Sequence, residues 1–315
     1  MQVSEMTIKE LKAELEKMEL TAVSEELLAE LTADSRKGVQ QLAKRYQRKK
    51  QRVAQKKEKF REMKQFEDDL ANRGYQLIGG VDEAGRGPLA GPVAAAVVIL
   101  PEDIWMPGLN DSKQLSEAKR EEFFAKLQEE AVDIGVGLVD SDRIDEVNIR
   151  NANYQAMREA ISNLEQTPDY LLVDGEEIPE IGIEQRRLVD GDQRSVSIAA
   201  ASIIAKVTRD RMLVEYDQEY PEYNFVQHKG YGTADHIAAL EEHGPCPIHR
   251  YSFSKVREAA LGEDYYLFEE GLKQADSIDE LESIAASVKE CVDLLSEFEL
   301  KELRNIFSQR RQELR

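Results

Sequence analysis

Leu77-Ile78-Gly79-Gly80-Val81-Asp82-Glu83-Ala84-Gly85-Arg86-Gly87-Pro88-Leu89-Ala90-Gly91-Pro92 is the stretch on which the reading of the fold turns. Its apolar opening, residues 77–81, reads as a buried strand that ends on two adjacent carboxylates, Asp82 and Glu83. The turn that follows holds Gly85, Gly87 and Gly91 with Pro88 and Pro92, too many breakers for a helix. A second apolar run, 93–100, leaves it, so the unit reads as hairpin-like. In such a glycine loop, backbone N–H groups can approach a phosphate closely. Acid beside a phosphate-binding loop implies a divalent cation between them. The plainer alternative is a glycine-rich hairpin with a solvated Asp-Glu pair.

Other carboxylates repeat the pattern. Residues 170–173 read as a buried strand that ends on Asp174, followed by Gly175. Asp190 and Asp192 both lie just before the small-residue run from Ser197 to Val207, which reads as a tightly packed helix. Singly, each Asp is more often a cap or turn residue than a ligand. Crowded carboxylates raise one another's pKa and stay ionised when cations sit between them. All-oxygen ligation suits Mg²⁺ or Mn²⁺ rather than zinc. Two such ions about 4 Å apart clamp an in-line phosphodiester displacement with no His, Ser or Cys nucleophile.

Residues 80–92 resemble the signature of bacterial ribonuclease HII at thirteen consecutive positions, the Gly-Arg-Gly included. The resemblance extends over residues 70–257. It implies the ribonuclease H-like α/β fold, a mixed five-stranded sheet flanked by helices. It selects Asp192 over Asp190, giving Asp82, Glu83, Asp174 and Asp192 as metal ligands and catalytic residues for two Mg²⁺ or Mn²⁺ ions. Gly85, Arg86 and Gly87 carry over as the loop that grips the ribonucleotide through backbone groups. Tyr231, between Gly230 and Gly232, carries over as the side chain that senses the RNA-to-DNA junction. Lys113 and Lys206 are candidate phosphate contacts, with surface charge as the alternative for each. The implied substrates are RNA–DNA hybrids and duplex DNA with embedded ribonucleotides, and the implied products carry a 5′-phosphate and a 3′-hydroxyl. The sister class, ribonuclease HIII, lacks the Gly-Arg-Gly. A non-catalytic hybrid-binding protein would not need all four acids, and no Gly-Lys-Ser/Thr supports a nucleotide site.

Around that core the chain divides into a helical basic extension (1–76), a catalytic domain (77–259) and an acidic helical extension (260–315). Further strands are expected at 93–100 and 134–139, and helices at 116–130, 151–164 and 197–219. The chain has 315 residues and a net charge of −20, yet between Arg36 and Lys64 thirteen Lys or Arg face two acids. That block reads as a helix lying along a phosphate backbone, as a solvated face, or as a contact to the protein's own acidic surface. Some Gram-positive members of the family carry a similar extension. From Glu263 onward fourteen acids face seven bases. Ser277 and Ser296 each begin a capping-box pattern, with apolar stripes through Ile278, Leu281, Ile284, Val288, Cys291 and Leu295, and through Leu300, Leu303 and Phe307. A helical hairpin docked within the chain is expected there. His243, Cys246 and His249 have a metal-like spacing, but two prolines interrupt it and no fourth ligand is evident, so zinc is not expected. Two cysteines make no disulfide framework, the acids near the N-terminus do not suit a secretory signal, and no apolar run spans a membrane. A cytoplasmic monomer is expected.

Overall fold

The structure, a computed structural model, describes residues 3–315. The chain opens with α1 (Ile8–Lys17), α2 (Glu25–Ala33), α3 (Lys37–Met63) and α4 (Gln65–Asn72). Thr7 closes a capping box with Glu10 at the start of α1, as its spacing leads one to expect. Leu11, Leu15, Leu28 and Leu31 bury against Val39, Leu42, Ala43 and Tyr46 of α3, making a small apolar core of their own. The far end of α3 buries Phe60 and Met63 in the main core. The middle of this helix is held by neither core, and most of its basic residues are exposed there.

The main body is a five-stranded sheet in the order β3-β2-β1-β4-β5. Strands β1 (Ile78–Ala84) and β2 (Val93–Ile99) form the hairpin, and β2 pairs antiparallel with β3 (Asp133–Val139), reached through α5 (Glu117–Glu130). Helices α6 (Ser141–Val147) and α7 (Ile149–Ser162) lead to β4 (Tyr170–Asp174), which runs parallel to β1, and β5 (Glu184–Leu188) adds in parallel at the edge. Then come α8 (Val196–Glu219), α9 (Phe225–His228), α10 (Ala234–His243) and α11 (Ser254–Ala260). One correction concerns β1, which continues to Ala84, so Asp82 and Glu83 lie within its last residues rather than after it.

Strand alternation sorts β2 onto two cores. Ala96 and Val98 pack with α5 and α8, whereas Val93, Ala95 and Val97 pack with α7. Glycine sets the helices unusually close. A Cβ on Gly80 would collide with the Ser197 backbone of α8, and one on Gly135 or Gly137 would collide with the carbonyls of Ala160 and Ala156 in α7. The small-residue run of α8 is therefore matched by small residues on the strand beneath it.

The C-terminal extension holds three helices rather than two: α12 (Glu263–Gln274), α13 (Ile278–Glu290) and α14 (Glu297–Glu313). Tyr265, Leu272, Leu281, Leu295 and Leu303 bury against one another, so the stripes mostly face their own bundle. Docking on the body runs through Phe298, 4.4 Å ring to ring from Tyr251, and Glu302, 2.5 Å from Arg257. The Ser296–Glu299 capping box forms. The Ser277 box does not close: Ser277 caps the Glu280 N–H, but the Glu280 side chain accepts from Asp276 instead. Among the described residues, no ion pair joins α3 to this extension, and no helix is long and apolar enough to cross a membrane.

Candidate active site

Parallel pairing brings two acids together at one end of the sheet. Val81 of β1 stands beside Val173 of β4, so the next residues, Asp82 and Asp174, are level. Asp82 shares a sheet face with Ala96 and lies beside Ser202 of α8. Glu83 takes the opposite face, meeting Asn153 of α7 and Arg86, whose Nη1 lies 3.1 Å away. Asp174 accepts from the Gly191 N–H at 2.7 Å, which ties the turn carrying Asp192 to the end of β4. Asp192 is buried and Asp190 exposed in that turn, so the buried one of the two is the one the resemblance selects.

These acids feel each other. Burial, then the charges of Glu83 and Asp174, hold the Asp82 carboxyl well above the usual range. Burial raises Glu83 and Asp174 as well, against the opposing pull of Arg86 on the first and of the Gly191 N–H on the second. Burial and the neighbours Asp111 and Asp174 push Asp192 up to about 6. Lys113 lies among them: burial pulls its pKa down, but Asp82, Asp111 and Asp192 outweigh it and the net shift is upward.

Among the described residues, no three His, Cys, Asp or Glu side chains are gathered to hold one ion. Mg²⁺ asks for less: it keeps several waters and takes one or two carboxylates plus substrate oxygens. A buried, mutually repelling, all-oxygen donor set with one lysine fits hard divalent cations.

The loop and the tyrosine lie next to this acid cluster. Gly87 sits beside Tyr231, and a Cβ on it would stand 3.7 Å from the tyrosine Cε1. Tyr231 is 42% exposed, and the Lys206 ammonium lies 5.9 Å over its ring. Lys206 itself is half-buried and paired with Asp210 at 2.7 Å, so a phosphate reaching its ammonium would share it with that carboxylate. His249 is also committed elsewhere. Its Nε2 lies 2.9 Å from His236 Nε2 and its Nδ1 3.1 Å from Cys246 Sγ, while His236 Nδ1 lies 3.0 Å from the Tyr231 carbonyl. His243 points away to Glu242. The metal-like spacing thus becomes a buried network under the Tyr231 turn.

Two participants were not singled out in the sequence. Asp111 is buried, accepts from the Lys113 N–H at 2.8 Å and stands close enough to Asp192 to repel its charge. Its only signal was the Asn-Asp-Ser-Lys turn, read there for its lysine. Glu67 of α4 reaches across to accept from Ser195 Oγ at 2.5 Å and from the Ser197 N–H at 3.0 Å. It thereby fixes the start of α8, a few residues after Asp192.

Family models match almost the whole of this body. The Ribonuclease HII model covers residues 79–256 and the Ribonuclease HII N-terminal domain model residues 7–71. Ribonuclease HII of Acetivibrio thermocellus is 49% identical over 250 residues, covering 79% of this chain and 97% of that protein. Ribonuclease HII of Bacillus anthracis is 52% identical over 228 residues, 72% and 88% of the two chains. The crystal structure of ribonuclease H2 from Pyrococcus horikoshii superposes with a TM-score of 0.51 at 29% identity, covering 58% of this chain and 96% of that one. With the sheet, the paired acids and these relatives in agreement, the chain belongs to the ribonuclease HII family, endonucleases that hydrolyse RNA in RNA–DNA hybrids.

Proposed function

We propose that this chain cuts on the 5′ side of ribonucleotides embedded in duplex DNA, as well as within RNA–DNA hybrids, using Asp82, Glu83, Asp174 and Asp192 to hold two Mg²⁺ or Mn²⁺ ions. The carrying observation is the levelling of Asp82 with Asp174 at the strand ends, with Glu83 and Asp192 in electrostatic reach. When bound, such ions lower the pKa of a water and stabilise charge on the scissile phosphate and the leaving oxygen. The chain's own residues orient the substrate. Arg86, Gly87 and Tyr231 are all exposed and Gly87 lies beside the Tyr231 ring, which suits one ribonucleotide and the sugar next to it. The 2′-hydroxyl is the group that distinguishes RNA from DNA at such a site.

Gly87 supports this reading in a particular way. Neither its φ nor its surroundings demand glycine, since an added methyl would find ordinary contact only. The space over it is therefore available to a ligand. Gly87→Ala is expected to fold normally and to raise KM for a single-ribonucleotide duplex by about tenfold; steady-state kinetics beside a thermal melt checks both halves. Tyr231→Ala should lose the preference for the junction over a uniform hybrid, measured as the ratio of kcat/KM on the two substrates. An unchanged ratio would remove Tyr231 from junction sensing.

The basic helix extends the footprint. Lys44, Arg45, Arg48, Lys49 and Arg52 line one exposed stretch of α3. Further along, Lys59 bonds Asn110 at 2.6 Å, next to Asp111. From Lys44 to Lys59 is about 22 Å of helix, enough to follow several phosphates of a duplex that enters the acid cluster. Replacing Lys44, Arg48 and Arg52 with Gln should make the salt dependence of duplex binding shallower by about 3 in log–log slope. An unchanged slope would return α3 to a solvated face.

A further inference from the structure

Two arginines stand behind the glycine loop, and neither has an acidic partner. Arg209 and Arg250 are both fully buried. Among the described residues, no carboxylate forms an ion pair with either one. Every hydrogen bond they donate goes to a main-chain carbonyl. Arg250 reaches Gly85 at 2.6 Å, Arg86 at 3.1 Å, Pro88 at 2.8 Å and Gly91 at 2.7 and 3.0 Å. Arg209 reaches Ala90 at 2.8 Å, Pro92 at 2.9 Å and, outside the loop, Lys229 at 2.9 Å.

This pattern has a consequence for the opposite side of the loop. In a trans peptide the C=O of one residue and the N–H of the next point in opposite directions. Drawing the Gly85 and Arg86 carbonyls inward therefore turns the N–H groups of Arg86 and Gly87 outward. Among the described residues neither N–H donates to another backbone group, and both residues are exposed. A buried charge is costly unless neighbouring dipoles offset it. Here the offsetting dipoles belong to the loop itself, so its outward face carries the positive side.

The same arginines join the loop to the tyrosine turn. Arg209 bridges Pro92 and Ala90 to Lys229, and the Leu89 N–H donates to the Gly230 carbonyl at 2.8 Å. Gly230 has φ of +82°, and a Cβ there would stand 2.6 Å from the Ala90 oxygen, so turn and loop interlock without room between them.

We propose that Arg209 and Arg250 are positioning residues that lock the Gly85–Gly91 loop and the Tyr231 turn into one cation-backed platform, so that grip on the ribonucleotide phosphate and readout of the junction occur as a single event. This rests on the assignment of that loop and Tyr231 to substrate. The acids on β1 and β4 are not held by either arginine, so the platform controls substrate capture.

The test uses the full chain. Arg250→Lys keeps the charge, but an ammonium lacks the planar fork that reaches four residues' carbonyls. Hydrogen exchange should rise together in peptides covering 85–92 and 228–232, with β1, β4 and α8 unchanged. KM for a single-ribonucleotide duplex should rise by about tenfold with kcat held within about threefold. A rise confined to the loop, with 228–232 still protected, overturns the coupling. An unchanged KM with kcat falling in step with the folded fraction shows a structural role only and overturns the positioning. Arg209→Lys gives a second variant with the same expectations. In the native chain alone, the Leu89, Gly91 and Tyr231 amides should share one opening rate, and independent rates overturn the proposal even if both variants unfold. A native chain that cuts no ribonucleotide duplex refutes the substrate assignment separately, while the exchange data still decide the coupling.

Discussion

Asp82→Asn should lower cleavage by about a thousandfold or more while raising, or leaving unchanged, the melting temperature. The two effects have one cause. Asp82 is 5% exposed at a sheet end where Glu83 and Asp174 repel its charge. A buried charge among like charges is a cost to the folded state. Asn keeps the shape and the Ser202 neighbour and removes that cost. In the proposed site it would also remove a ligand to a cation that supplies several kcal/mol of transition-state stabilisation, and about 4 kcal/mol corresponds to a thousandfold in rate. Activity lost through misfolding would lower the melting temperature instead. Single-turnover rates beside a thermal melt separate the two cases, and duplex affinity should stay near native, because the loop, Tyr231 and α3 are untouched.

Gly80→Ala should cost far more stability than one added methyl normally does. The new Cβ would occupy the position of the Ser197 carbonyl group in α8. Backbone cannot rotate away as a side chain can, so β1 and α8 must separate. Separation would pull Ser202 from Asp82 and strain the Glu67 bonds to Ser195 and Ser197. Overpacking in a closed core costs about 1–3 kcal/mol and more where backbone must move; taking about 3 kcal/mol, the melting temperature falls by roughly 6–12 °C. Gly87→Ala, one loop away, is the control with the same added methyl and no collision. If Gly80→Ala melts like the native chain, the close approach of β1 and α8 is wrong.

The hairpin, four of the five strands and α8 were legible because their apolar runs are bounded by glycine, proline or acid. The fifth strand, Glu184–Leu188, was not. Its Glu-Gln-Arg-Arg-Leu carries charge on both faces, as an edge strand against solvent can, and no alternation marks it. Helix α12 escaped because its Tyr265, Phe268 and Leu272 stripe falls among acids with no capping residue before it; Gly262 stands at that position. At the site, Asp82, Glu83 and Asp174 were each marked by position at a strand end, while position before a helix marked Asp190 and Asp192 alike and only the family resemblance chose between them. Asp111, Glu67, Arg209 and Arg250 were not marked. Burial of a charged residue is a tertiary fact: Arg250 follows His249 far along the chain from the glycine loop, and only folding brings it under residues 85–91.

The most direct test sizes the products of a duplex DNA holding one ribonucleotide, end-labelled on either side, with Mg²⁺ and with Mn²⁺. In the proposed four-acid site water is the nucleophile, so the expected cut is single, on the 5′ side of the ribonucleotide, leaving a 3′-hydroxyl on the DNA fragment and a 5′-phosphate on the ribonucleotide, with no product from Asp82→Asn. A cut on the 3′ side bearing a 2′,3′-cyclic phosphate, or full activity in Asp82→Asn, would mean that the 2′-hydroxyl or another group attacks and that these carboxylates are not the catalytic centre.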